Sequence, residues 1–199
     1  RTAILGLQNA DLQLTGQGGA PYPLNLFDEY DSLAHRPASA DLGTRSLRYD
    51  LLKILLVDDN HYMRLLLSEI LRAIGVTRIY EASDGAEALQ MMREFPIDVV
   101  LTDLSMEPLD GIDFVRLLRN SPDSPNQKAP VIMITGHSTL ARVHEARDAG
   151  VSEFLAKPLN ARAVIERLSQ VLENPRPFVR GDGYFGPDRR RRAGAARRL

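Results

Sequence analysis

Ile97-Asp98-Val99-Val100-Leu101-Thr102-Asp103 is the stretch on which the fold turns. It reads as a buried strand that releases a carboxylate at its C-terminal end. Three other runs are built the same way. Lys53-Ile54-Leu55-Leu56-Val57 ends in the acidic pair Asp58-Asp59, and Val131-Ile132-Met133-Ile134 ends at Thr135. Ser152-Glu153-Phe154-Leu155-Ala156 ends at Lys157-Pro158. In an open parallel α/β sheet the C-terminal ends of the strands line one crevice. Three carboxylates, a hydroxyl and an ammonium gathered there suit a divalent cation and a phosphoryl group.

Outward from that stretch, strand and helix patterns alternate from Leu51 onward, which reads as successive βα units. Met63, Leu66, Leu67, Ile70, Leu71 and Ile74 form the apolar stripe of a first helix, closed by Gly75. Arg78 to Ala82 is a short second strand. Ser83-Asp84-Gly85 turns into a helix carrying Ala88, Leu89, Met92 and Phe95. Ile112, Val115 and Leu118 mark a third helix, and Asn120 to Pro130, with three prolines, must be a loop. Leu140, Val143, Ala146 and Ala149 mark the fourth helix, ended by Gly150. Ala163, Val164, Leu168, Val171 and Leu172 mark the fifth.

The constellation resembles the receiver domain of two-component response regulators over roughly Leu51 to Leu172. The resemblance rests on Asp58-Asp59, on Asp103-Leu104-Ser105-Met106-Glu107-Pro108-Leu109-Asp110-Gly111, on Thr135-Gly136, and on Lys157-Pro158 preceded by the aromatic Phe154. Any one of these is weak, whereas five in order at workable spacing are specific. The expected fold is a flavodoxin-like doubly wound (βα)5 sandwich with sheet order 2-1-3-4-5 and helices on both faces. Flexible N- and C-terminal extensions flank it, at residues 1–50 and 173–199, with the receiver at 51–172.

Phosphoryl transfer needs a nucleophile and charge neutralisation. Asp103 is the expected phosphoacceptor, forming an aspartyl phosphate. Asp58 and Asp59 suit a hard cation, most naturally Mg2+, and three carboxylates without metal should raise at least one pKa. The resemblance implies that Asp59 and Asp103 ligate the ion directly, that Asp58 acts through water, and that the Ser105 main-chain carbonyl completes the set. Lys157 supplies a point charge to the phosphoryl oxygens and Thr135 a hydroxyl. The family also implies a cis bond before Pro158 and a switch coupling Thr135 to burial of the Phe154 ring. Readout would run through helix 4, strand 5 and helix 5.

Simpler readings accompany each residue. A lone Asp at a strand end is ordinarily a turn former or cap, and one of Asp58, Asp59 and Asn60, preferably Asn60, should cap the first helix. Asp110-Gly111 reads as a turn and helix start. Thr135 and Lys157 could each be an ordinary surface group. His137 stands where the family tunes phosphate lifetime, and an exposed bystander is the rival reading. Two departures from the family pattern stand out. Glu107 separates Met106 from Pro108 and puts a charge near the pocket mouth, and Phe154 replaces the more usual Tyr.

The whole chain sets outer bounds. Its 199 residues are 44% apolar with no cysteine, which excludes a disulfide framework and thiolate metal sites and fits a cytoplasmic protein. No apolar run is long enough to span a membrane and no signal pattern opens the chain, which begins at Arg1 as a fragment or trimmed chain would. The net charge of −1 hides an asymmetry: residues 51–172 carry −4, whereas 173–199 hold 8 arginines against 3 acids. Those last 27 residues are too few for a winged-helix or helix-turn-helix output domain. They read as a solvated tail, with nucleic-acid or acidic-partner binding and folding back on the acidic domain as alternatives. Residues 1–50, with Gly16-Gln17-Gly18-Gly19-Ala20-Pro21 and little periodicity, read as mostly disordered.

The expected protein is a stand-alone receiver, a self-phosphorylating and self-dephosphorylating switch rather than a metabolic enzyme. A histidine kinase or histidine phosphotransfer protein would phosphorylate it, and it would signal to an effector protein by contact; homodimerisation is left open. The alternatives are a receiver whose basic tail binds nucleic acid, a degenerate receiver serving only as an interface, and a Mg2+-dependent phosphohydrolase. The last is disfavoured because the dehalogenase pattern requires Asp where Ser105 stands.

Overall fold

The computed structural model describes residues 48–136, 139–181 and 183–190. The expectations for residues 1–47 and for His137 lie outside these residues. Five parallel strands form one sheet: β1 (Lys53–Val57), β2 (Arg78–Ala82), β3 (Val99–Asp103), β4 (Val131–Thr135) and β5 (Glu153–Ala156). Their order is β2-β1-β3-β4-β5, as the doubly wound reading requires. Five helices alternate with them: α1 (His61–Ala73), α2 (Gly85–Glu94), α3 (Gly111–Asn120), α4 (Leu140–Ala149) and α5 (Ala161–Glu173).

The central strands are apolar without interruption because both faces are covered. Alternate side chains of one strand enter two separate cores. Leu55, Val57, Val100 and Met133 join Phe114, Val115 and Leu118 of α3 on one face. Ile54, Leu56, Leu101 and Ile132 join Leu67 and Leu71 of α1 and Val164 and Leu168 of α5 on the other. The register sets Val57 beside Thr102, Asp103 beside Ile134, and Thr135 beside Ala156. The strand ends that follow therefore fall side by side along one edge.

Each helix starts on a side-chain cap that satisfies orphan N–H groups. The caps are Asn60, Asp84, Asp110, Thr139 and Asn160. Gly150 ends α4 with φ 105°, in the left-handed region open to glycine. The α1 stripe is narrower than the sequence suggested. Leu66 is 44% exposed, because burial centres on Leu67 and Leu71 with Ser68 between them. Likewise Leu140 is 45% exposed, and only Ala146 and Ala149 of α4 are buried.

The C-terminal segment departs from the solvated tail over part of its length. Phe178–Gly181 (β6) and Tyr184–Pro187 (β7) pair as an antiparallel hairpin. It lies against the C-terminal ends of α3 and α4, the fold-back alternative, because aromatic rings within the segment find a seat there. Phe178 meets the buried Arg119 of α3, with the guanidinium 5.0 Å from the ring centroid. At the other boundary, Tyr49, just before the expected domain start, and Leu52 pack on the α1/α5 core.

Gly111 has a duty the turn reading missed. A Cβ there would sit 2.1 Å from the Asp103 carbonyl oxygen, because its N–H donates to the Leu104 carbonyl as α3 closes over the end of β3. Gly111→Ala is therefore expected to destabilise the fold by about 1–3 kcal/mol, the usual cost of forcing atoms into filled space. Gly136→Ala, whose added Cβ would meet nothing nearer than 3.9 Å, should be close to neutral. Urea unfolding of both variants checks the pair, and equal stabilities would remove the close-approach argument.

Candidate functional site

Asp58, Asp103 and Lys157 converge at the C-terminal edge of the sheet. The Lys157 Nζ lies 2.6 Å from Asp103 Oδ1 and 3.6 Å from Asp58 Oδ2. Asp58 and Asp103 are both buried, whereas the lysine side chain is 30% exposed. Asp103 Oδ2 accepts from the Ser105 backbone N–H at 3.0 Å, so both carboxylate oxygens have a partner. Asp58 Oδ1 accepts from the Asn60 N–H at 2.8 Å, while its Oδ2 is buried and accepts no hydrogen bond.

The remaining expected residues surround this centre. Asp59 is exposed at the mouth beside Asp58. Thr135 is buried at the end of β4, and its carbonyl accepts from the Lys157 N–H at 2.7 Å. The Lys157-Pro158 bond is cis. Phe154 is half-buried against the core under α3 and α4, one β5 residue from Leu155 on the opposite face. Glu107 is exposed and precedes a second cis proline, Pro108. Asn60, as preferred, caps α1, accepting from Tyr62 and Met63.

Several positioning groups were missed by the sequence reading. Arg64 donates to the Asp58 carbonyl at 2.6 Å and pairs with Glu81 of β2 at 3.1 Å, so it fixes the acidic loop from behind. The signal was there: helical side chains lean toward the N-terminus, and Arg64 stands one turn after the Asn60 cap. Arg142 of α4 reaches Asp110 Oδ2 at 2.7 Å, linking α4 to the cap of α3. Arg167 of α5 donates to the Phe154 carbonyl at 2.9 Å. The Arg142 and Arg167 pairings join distant segments, and no local spacing announces them.

The electrostatics follow from burial and from one cation. Burial pushes the Asp58 carboxyl above its ordinary value; the Asn60 N–H and Lys157 oppose this, and the charges of Asp103 and Asp59 add only a minor upward push. A raised carboxyl was expected, but desolvation outranks the expected mutual repulsion. Burial lowers Lys157, yet its hydrogen bond to Asp103 and the two nearby carboxylates outweigh that and leave it raised.

The donors fit a hard divalent cation. They are carboxylate oxygens with a main-chain carbonyl available at Ser105, and Asp58 Oδ2 is a buried acceptor still without a hydrogen-bond donor. Among the described residues no group of three or more His, Cys, Asp or Glu side chains could by itself hold a metal ion. An ion that retains several waters and takes one or two carboxylates needs none.

Comparison with known proteins bears on the same region. Residues 54–169 match the response regulator receiver domain family. The chemotaxis protein CheY-3 of Vibrio cholerae is 36% identical over 122 residues, covering 61% of this chain and 92% of that protein. The chemotaxis protein CheY of Pseudomonas aeruginosa is 35% identical, covering 61% and 97%. The solved structure of CheY4 from Vibrio cholerae superposes with a TM-score of 0.56 at 30% identity, over 61% of this chain and 98% of that one.

The raised Asp58 carboxyl has a definite sign. Folding binds its proton more tightly than the unfolded chain does, so stability falls as pH rises from the ordinary 3.8 toward the raised folded value. Above that window the ionised, desolvated carboxylate is a standing cost. Asp58→Asn should remove that slope and leave the metal-free protein more stable at neutral pH. Urea unfolding in chelator at acid and neutral pH reads both effects, and a neutral-pH loss of stability would contradict the assignment.

Proposed function

The chain belongs to the response regulator receiver family, a two-component signalling module, and from that premise we propose that it is a phosphorylation switch with Asp103 as the phosphoacceptor. The observation that carries this reading is the Lys157–Asp103 ion pair at 2.6 Å beside the buried Asp58. Receiver domains interact with histidine kinases and effectors. Here the donor would be a histidine kinase or phosphotransfer protein, and the output a contact with an effector protein through α4, β5 and α5. The relatives named for chemotaxis support a role in signalling through protein contacts. No helix among the described residues is long and apolar enough to cross a membrane.

An Asp103 carboxylate oxygen attacks the phosphorus of a phosphohistidine, the new O–P bond forms as the P–N bond breaks, and the imidazole leaves with the electron pair. The Ser105 N–H and Lys157 hold the carboxylate so that its attacking oxygen has a fixed direction. The lysine ammonium then follows the developing charge from the carboxylate to the phosphoryl oxygens, which its flexible stem and partial exposure permit. Thr135, at the end of β4, offers its hydroxyl to a second phosphoryl oxygen. Asp58, Asp59, Asp103 and the Ser105 carbonyl would hold Mg2+, which when bound neutralises charge between carboxylate and phosphoryl group.

Incubation with Mg2+ and acetyl phosphate, followed by intact-mass measurement, tests the reading. One acid-stable but hydroxylamine-labile phosphate is expected on the wild type and none on Asp103→Asn. Lys157→Ala should slow labelling about a hundredfold, the usual effect of removing one charge-stabilising donor. No labelling by acetyl phosphate or by a phosphorylated kinase would leave the family fold with an interface role only.

A further inference from the structure

Asp58 is held by its main chain as well as by its side chain. Its N–H donates to the Ala82 carbonyl of β2 at 3.2 Å, and its Oδ1 accepts from the Asn60 N–H at 2.8 Å. Its carbonyl accepts from Arg64 Nη1 at 2.6 Å. The Arg64 side chain is only 15% exposed, and its Nε donates to Glu81 Oε2 at 3.1 Å. One guanidinium therefore ties three parts of the fold together: α1, which carries it, the acidic loop after β1, and the edge strand β2.

The carbonyl that Arg64 grips belongs to the peptide joining Asp58 to Asp59. A peptide unit is planar, so fixing its oxygen fixes the plane that carries the Asp59 nitrogen and Cα. Asp59 is exposed, and the direction of its side chain starts from that main chain. The helix itself does not favour a cation at this position. Arg64 lies in the first turn of α1, where the macrodipole favours acids, and that turn holds no acidic residue. A guanidinium close to a divalent-cation site would also repel the ion. Pairing with Glu81 offsets that charge, while the planar fork keeps a second donor aimed at the Asp58 carbonyl.

We infer that Arg64 is a positioning residue for the acidic loop, gripping the Asp58–Asp59 peptide so that both carboxylates meet a divalent cation in a fixed arrangement. The inference rests on the reading that these carboxylates hold Mg2+. Groups that orient the ligands of a metal, without touching it, ordinarily matter about ten- to a hundredfold in metal affinity. Position and charge here predict opposite signs. Deleting Arg64 removes a cation and by charge alone tightens Mg2+ binding, whereas a loosened loop binds the ion more weakly. Lysine keeps the charge but lacks the fork, so it serves one of the two acceptors.

A Mg2+ titration of the full chain, followed by backbone amide NMR shifts, tests this, with urea unfolding in chelator run on the same proteins. Arg64→Gln should weaken Mg2+ binding about tenfold. Arg64→Lys should weaken it about two- to fivefold, the effect of losing one exposed ion pair. Arg72→Gln removes the same charge from the exposed far end of α1 and should leave the affinity unchanged. Unchanged or tighter binding by Arg64→Gln overturns the inference, whatever happens to its urea midpoint, because a purely structural arginine moves the midpoint alone. If Arg64→Gln does not fold, Arg64→Lys decides: weakened binding supports the inference and wild-type affinity overturns it. A wild type that binds no Mg2+ removes the metal reading and this inference together, whereas a wild type that binds beside indifferent variants removes this inference alone. No phosphodonor is present in any arm, so failure here is separate from failure at Asp103.

Discussion

Everything at the active edge depends on one ion pair reaching across an intervening strand. Asp103 ends β3 and Lys157 follows β5, with β4 between them. The ammonium must therefore pass over the end of β4 to reach the carboxylate at 2.6 Å. Thr135 and Gly136 occupy that path: the Thr135 carbonyl holds the lysine backbone, and a Cβ at Gly136 would meet the Lys157 Cδ at 3.9 Å. A longer side chain there would compete for the same space. Without the lysine, the buried Asp58 and Asp103 would face each other with no compensating charge, and a half-buried site for two carboxylates would be expensive. The ion pair proposed to serve phosphoryl transfer is thus also what makes the edge tolerable without a metal.

The sheet order and its site were legible because they rest on local signals. Four strands each announce their C-terminal group within the strand itself, and parallel topology places those groups on one edge whatever the helices do. Asn60 as a cap was readable for the same reason, whereas the cis bond before Pro158 came from the family resemblance. What escaped was set by packing between distant segments. Gly111 looked like a turn residue because nothing nearby in sequence shows that α3 closes to within one hydrogen bond of Leu104. Arg64, Arg142 and Arg167 drew no notice in the sequence, because Glu81, Asp110 and Phe154 lie on other elements. The family supplied the roles, and packing supplied the reasons those roles are held in place.

The C-terminal segment shows how composition misleads when rings and charges alternate. Read as charge, residues 173–199 are a basic tail. Read as contacts, the arginines divide. Arg176 is spent on Ser152 and Glu153, Arg189 on Asp148 and Tyr184, and Arg180 lies outward on Phe185. The receiving surface contributes its own arginine, Arg119, buried beneath Phe178. Each ring of the hairpin carries one stacked cation, a weak but specific contact that orients the hairpin.

The candidate site and the hairpin lie toward opposite ends of β5. Lys157 follows its C-terminal end and reaches Asp103 at the end of β3, whereas Ser152 and Glu153 at its start receive the hairpin. Four residues of strand separate the two ends by about 13 Å. A mechanical link between them would run along β5 and through the helices that flank it. Phe154 sits midway on that path, with its carbonyl held by Arg167 of α5 and its ring against the core beneath α3 and α4. Displacing that ring would disturb contacts of both α5 and the core beneath α3 and α4.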